Sequence, residues 1–147
     1  MAQTLKTDLG VAKDALRRIG DARLRDFDAL WKAGEHHSAV YMAGYAVEQY
    51  LKCAVCTTLK VKQLPRVFEY HHLESLLFFS GFNDELRADT HVSPSFFGIE
   101  GMWNVEMRYE DPASPQYQLF NGPFCGKVDK WLNDATTGVI PWWRKRI

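Results

Sequence analysis

A chain of 147 residues that is 46% apolar or aromatic can build one sizeable core, so a single domain over 1–147 is expected, with 138–147 as a C-terminal tail. Eighteen basic residues balance eighteen acidic ones, which excludes a whole-molecule field for duplex nucleic acid or an anionic membrane and leaves any basic footprint local. No stretch approaches the roughly 20 apolar residues of a membrane span, the first residues lack the apolar run of a secretory signal, and three cysteines suit reduced thiols better than a disulfide framework. A soluble, cytoplasmic protein without a membrane partner is expected.

Leu5, Leu9, Ala12, Leu16 and Ile19 are spaced four, three, four and three apart, which predicts a first helix with an apolar seam. Gly20 and Asp21 interrupt or loosen it. Leu24, Phe27, Leu30 and Trp31 resume the stripe, with Asp21 as a plausible cap and Gly34 as the stop. A central helix from about Glu35 to Leu59 follows, apolar or aromatic almost all the way round, and small residues at Ala39, Ala43 and Gly44 admit a close neighbour. Cys53 and Cys56 form a CxxC inside that helix, where core packing explains them.

The run KVKQLPRVFEYHH is a connector, since Pro65 ends any helix arriving from its N-terminal side. Leu73, Leu76 and Leu77 predict a short helix closed by Gly81, Asn83 caps a further turn through Arg87, and HVSPSFFG is turn-like. Phe96, Ile99, Trp103 and Met107 predict a helix from about Ser95 to Tyr109, and Ser114 before Pro115 marks a helix start. Phe124, Val128, Trp131, Leu132 and Ala135 give the last long helix, with Gly138 as its stop. No alternating strand pattern is found. The fold class is therefore all-α, an up-and-down helical bundle.

Glu48 and Lys52 are the only charges on the central helix's Tyr41 and Tyr45 sector, so a buried or partly buried polar network is expected in preference to a surface pair. Arg108, in WNVEMRYE, is the cation proposed to reach Glu48 across helices; its planar guanidinium suits a phosphate as well. His71 and His72 precede LESLL and are read as capping groups. His36, His37 and His91 have no ligand spacing around them, so neither a metal nor a cofactor is expected. The tail Trp142–Arg146 mixes aromatic and basic residues, which fits tryptophans folded back into the core or, second, stacking on single-stranded RNA.

In order along the chain, AVYMAGYAVEQYLK, HHLESL, WNVEMRY and GVIPWW resemble the HEPN-domain proteins of bacteria and archaea, including a small stand-alone branch. The resemblance implies a bundle of four to five main helices, a homodimer, and a toxin–antitoxin or phage-defence setting beside a small nucleotidyltransferase. Many such proteins are RNases that use Arg-x(4–6)-His; here Arg108 is followed by YEDPASPQYQ, without a histidine at that spacing. The leading expectation is accordingly a non-nuclease module that binds a partner protein, RNA or nucleotide. A second reading is a metal-independent endoribonuclease in which Arg66 and His71 or His72 act on the scissile phosphate. A third is a nucleotide sensor with phosphate held by Arg108 and Lys52 and the base stacked on Tyr109.

Overall fold

The computed structural model describes residues 9–147. The first strand, β1 (Leu9–Ala12), leads into α1 (Lys13–Lys32), and a three-residue turn joins α1 to the central α2 (His36–Leu59). β2 (Gln63–Pro65) and a 3-10 turn (Arg66–Phe68) carry the connector to α3 (Leu73–Phe79), followed by α4 (Asn83–Ala88) and α5 (Ser93–Met102). A second 3-10 segment (Val105–Tyr109) precedes α6 (Pro115–Gln118), α7 (Gly122–Asn133) and α8 (Val139–Arg144). Helix thus covers most of the described length. Only α1, α2 and α7 exceed ten residues among the described elements; shorter helices complete the packing around α2.

The central helix follows directly from its sequence. Nearly every residue from Ala39 to Cys56 is buried, as an element with apolar side chains on all sides must be. α1 lies antiparallel to it, with Lys13 beside Cys53 and Gly20 beside Tyr50. α1 is continuous through Gly20 and Asp21, so of interruption and loosening the first does not occur. A Cβ at Gly20 would lie 2.9 Å from the Tyr50 ring, so glycine is there for close packing of α1 on α2, and twelve further residues of helix outweigh its low propensity. Asp21 consequently sits within the helix and caps nothing. Of the predicted seam, Leu5 lies outside the described residues.

Other expectations are also corrected. Leu9–Ala12 is extended and pairs antiparallel with Gln63–Pro65, Leu9 opposite Pro65 and Ala12 opposite Gln63, with an irregularity between them. HVSPSFFG is not a free turn, because α5 begins at Ser93 with Pro94 in its first turn, where a missing N–H costs nothing. Asn83 does not cap α4; its side chain accepts from Arg87 Nε at 2.9 Å. The helix expected through Tyr109 breaks at Trp103 and Asn104, and Asn104 Oδ1 caps the 3-10 segment by accepting from Glu106 N at 2.9 Å. Ser114 caps α6 as its place before Pro115 implies, accepting from Tyr117 N at 3.2 Å.

α7 ends at Asn133, before the expected Ala135, and Gly138 leads into α8 instead of stopping the last long helix. Residues Val139–Arg144 are therefore helix with both tryptophans in the core: Trp143 is fully buried, and Trp142 donates from Nε1 to Asp89 Oδ2 at 3.0 Å. With both indoles buried in the core, stacking of these tryptophans on RNA falls away.

The tightest approach in the core is at Gly44, where a Cβ would come within 2.1 Å of the Trp103 indole. Trp103 also donates from Nε1 to the Tyr41 carbonyl at 2.9 Å, so the ring cannot simply withdraw. Gly44→Ala is expected to destabilise the fold by about 1–3 kcal/mol or more through overpacking, measured by urea unfolding.

Candidate functional site

Glu48, at mid-helix on α2, is 1% exposed, and both of its carboxylate oxygens are engaged. Oε1 is 2.7 Å from His71 Nδ1, and Oε2 accepts from Gln49 Nε2 at 3.0 Å and from Lys52 Nζ at 3.3 Å. A carboxylate has only acceptors to offer, so Nδ1 of His71 is the donor and its Nε2 faces away from the pair. Lys52 is 6% exposed, so the i,i+4 pair is a buried ion pair and not a solvated one. Removing one member of such a pair strands the other at a cost of about 3–5 kcal/mol.

The expected partner, Arg108, is elsewhere. The helix break at Trp103 places it on the 3-10 segment, where it is exposed and its guanidinium lies 4.8 Å from the centroid of the Tyr109 ring. Neighbouring Tyr109 and Tyr41 raise its pKa further, while burial and Tyr45 push the Tyr41 phenol up to about 12. No ion pair of Arg108 occurs among the described residues. Lys52, bound to Glu48 in the core, does not join Arg108 as a phosphate ligand. Tyr109 is 72% exposed and available as a flat stacking surface.

A cleft of about 250 Å³ lies beside Arg108, lined by His37, Ser38, Tyr41, Met42, Met107, Glu110, Pro112 and Tyr117. His37 is buried with its Nε2 2.9 Å from Glu110 Oε2, its ring stacked on Tyr117 at 4.1 Å and edge-on to Phe120. Sequence reading missed this group. Its one signal was position: His37 stands one turn before Tyr41 on the same helix. An aromatic strip then connects the cleft to the buried glutamate, since Tyr41 meets Tyr45, Tyr45 meets Trp103, and Tyr45 presents its ring to His71 at 6.1 Å.

The remaining candidates have separate tasks. His72 caps α3 by accepting from Ser75 N at 3.2 Å, whereas His71, also read as a cap, instead serves Glu48. Arg66 is exposed and weakly paired with Glu69 at 3.5 Å. All three cysteines are buried, and burial, with the neighbouring Cys56, pushes the Cys53 thiol up to about 12, as expected of packing groups. Among the described residues no cluster of three or more His, Cys, Asp or Glu side chains is placed to hold a metal ion, and no helix is long and apolar enough to cross a membrane.

A second polar cluster ties three helices together. Tyr50 donates to Asp21, and Arg144 donates to Tyr50 Oη at 3.1 Å and to Asp21 Oδ1 at 3.2 Å, fastening α8 to α1 and α2. Burial acts to raise the Asp21 pKa, but the bonds from Tyr50 and Arg144 and the nearby Arg17 charge outweigh it and hold the carboxyl below its usual range. Comparison with protein families, curated proteins and solved structures finds no match.

Because folding lowers the Asp21 pKa, its contribution to stability is complete above about pH 4 and is lost as pH falls through the folded value. Asp21→Asn is therefore expected to lower stability at pH 7 and to flatten the acid limb below about pH 4, read by urea unfolding across pH.

Proposed function

We propose that the chain is a non-nuclease HEPN-like module, homodimeric, that binds single-stranded RNA or a nucleotide in a prokaryotic toxin–antitoxin or phage-defence setting beside a nucleotidyltransferase. The observation that supports it is Arg108: an exposed guanidinium without a carboxylate partner among the described residues, next to the exposed Tyr109 ring and the cleft lined by Tyr41 and Tyr117. Arginine beside aromatic rings is the chemistry that holds a phosphate and stacks an unpaired base. The cleft, at about 250 Å³, is smaller than the usual enclosed ligand pocket, which favours a base laid on the surface over one swallowed whole. For the second copy, Leu59, Val67, Phe78 and Phe79 offer exposed apolar surface flanked by Arg66 and Glu69, opposite charges that a two-fold axis would interchange.

Labelled oligoribonucleotides measured by fluorescence anisotropy test the Arg108 surface. Arg108→Ala is expected to weaken binding about tenfold or more while leaving the melting temperature unchanged, since the side chain is exposed. Binding unaltered by that substitution, or no binding to any oligomer or nucleotide, would refute the reading.

One observation favours the alternative, a metal-independent endoribonuclease. The Glu48 carboxylate fixes His71 with Nε2 free to exchange a proton, the arrangement of a general acid or base oriented by a buried carboxylate. Such an enzyme cleaves RNA in EDTA, loses the activity in His71→Ala, and keeps it in His72→Ala apart from a modest loss of stability from the cap. Absence of cleavage by the wild-type chain under those conditions removes the alternative.

A further inference from the structure

A larger concavity lies at the opposite end of α2, about fifteen residues or 22 Å along the helix axis from Tyr41 at a rise of about 1.5 Å per residue. It encloses about 640 Å³ where the β1–β2 ladder ends, and Ala12 and Gln63, the last pair of that ladder, both line it. Lys13, Lys60 and Lys62 stand around it with a single carboxylate, Asp14, and none of the three ammonium groups has an ion-pair partner among the described residues. The chain as a whole carries no net charge, so this is a local positive field set into a concave wall, where low-dielectric surroundings strengthen it.

The backbone holds these charges in place. Lys60 takes a left-handed conformation, φ 57°, at the end of α2, and Val61 N returns to the Cys56 carbonyl at 3.0 Å, which turns the chain sharply over the cavity. Lys13 N then donates to the Lys62 carbonyl at 2.8 Å, joining the two walls. Ala12, the buried Cys56 and the half-buried Val61 put apolar surface between the lysines. The exposed Gln63 amide adds a donor and an acceptor, and the Thr57 hydroxyl, which donates to the Cys53 carbonyl at 3.1 Å, keeps its lone pairs for an incoming N–H.

What such a wall recognises follows from the groups it has and those it lacks. Among the described residues no aromatic ring and no arginine borders it, so it offers neither a face on which a base stacks nor the planar fork that grips a phosphate. Lysine is a flexible point charge that meets carboxylates one at a time, and an amide and a hydroxyl beside it match the N–H and C=O groups of a peptide. We propose that this concavity docks an acidic peptide segment of a partner protein, its carboxylates on Lys13, Lys60 and Lys62 and its small apolar side chains against Ala12, Cys56 and Val61. Charge complementarity selects the occupant: three lysines against one carboxylate attract an acidic segment and repel a basic one. This protein-docking surface is separate from the Arg108 surface and does not depend on what binds there.

Fluorescence anisotropy of the full chain at low salt, where surface charges are least screened, tests this with a labelled peptide alternating glutamate with alanine and valine. The peptide is expected to bind saturably, and its counterpart with glutamine in place of glutamate about tenfold or more weakly. The Lys60→Gln, Lys62→Gln double variant is expected to lose about tenfold or more in affinity, whereas Lys130→Gln, Lys145→Gln, which removes the same charge elsewhere, binds as wild type does. All four lysines are exposed, so circular dichroism and melting of both double variants should match wild type. Four results would each overturn the proposal: no binding of the glutamate peptide, equal binding of the glutamine peptide, affinity within about twofold of wild type in the Lys60, Lys62 variant, or an equal loss in the Lys130, Lys145 variant. A uridine oligomer that displaces the peptide and itself binds about tenfold more weakly to the Lys60, Lys62 variant would overturn it in favour of an RNA backbone.

Discussion

A carboxylate that is 1% exposed has to be satisfied by the protein itself, and much of this structure follows from how Glu48 meets that demand. Its own helix supplies two donors, Lys52 one turn on and Gln49 beside it. The third comes from His71, the second residue before α3, and draws the connector against the middle of α2. His72 can then cap α3, and the Leu73, Leu76 and Leu77 face is delivered into the core. One buried charge thus sets the register between the central helix and the chain that crosses it.

The same helix organises the surfaces around it. Going up the Tyr45 and Tyr41 sector from Glu48, the polar pair gives way to an aromatic strip on which Trp103 lies, its indole over Gly44. Trp103 ends α5, and the 3-10 segment that follows turns Arg108 outward beside Tyr109. A guanidinium that had met Glu48 would have been neutralised in the core; His71 takes that place, and Arg108 stays exposed to solvent. At the far end of α2 the left-handed Lys60 reverses the chain and sets lysines around an open cavity. The cleft beside Arg108 and this cavity therefore lie about fifteen residues apart along the same buried helix.

Much of α2 was legible in the sequence because its burial is complete: eighteen residues without an exposed polar face admit one interpretation, and the predicted limits of Glu35 and Leu59 differ from the observed helix by one residue. Burial of Glu48 and Lys52 followed from the aromatic company they keep, and the Ser114 cap from local chemistry. What could not be read depends on contacts remote in sequence. His71 lies 23 residues from Glu48, and nothing in a connector's composition says which imidazole will face a carboxylate. Gly20 signals a break by propensity, yet the Tyr50 ring packed against it keeps α1 whole. Strands of four and three residues are too short to show an alternating pattern, and the first of them falls within what reads as a helical seam. The His37–Glu110 contact spans 73 residues, and its one local signal was the place of His37 one turn before Tyr41.

The identity of the partner that holds Glu48 is open to direct measurement by double-mutant cycles on unfolding free energy, using Glu48→Gln with His71→Ala and, in parallel, Glu48→Gln with Arg108→Ala. The geometry predicts a coupling of about 1 kcal/mol or more in the first cycle and within about 0.5 kcal/mol of zero in the second. Coupling confined to the Arg108 cycle would contradict the account, returning Arg108 to the core and leaving His71 without its structural role.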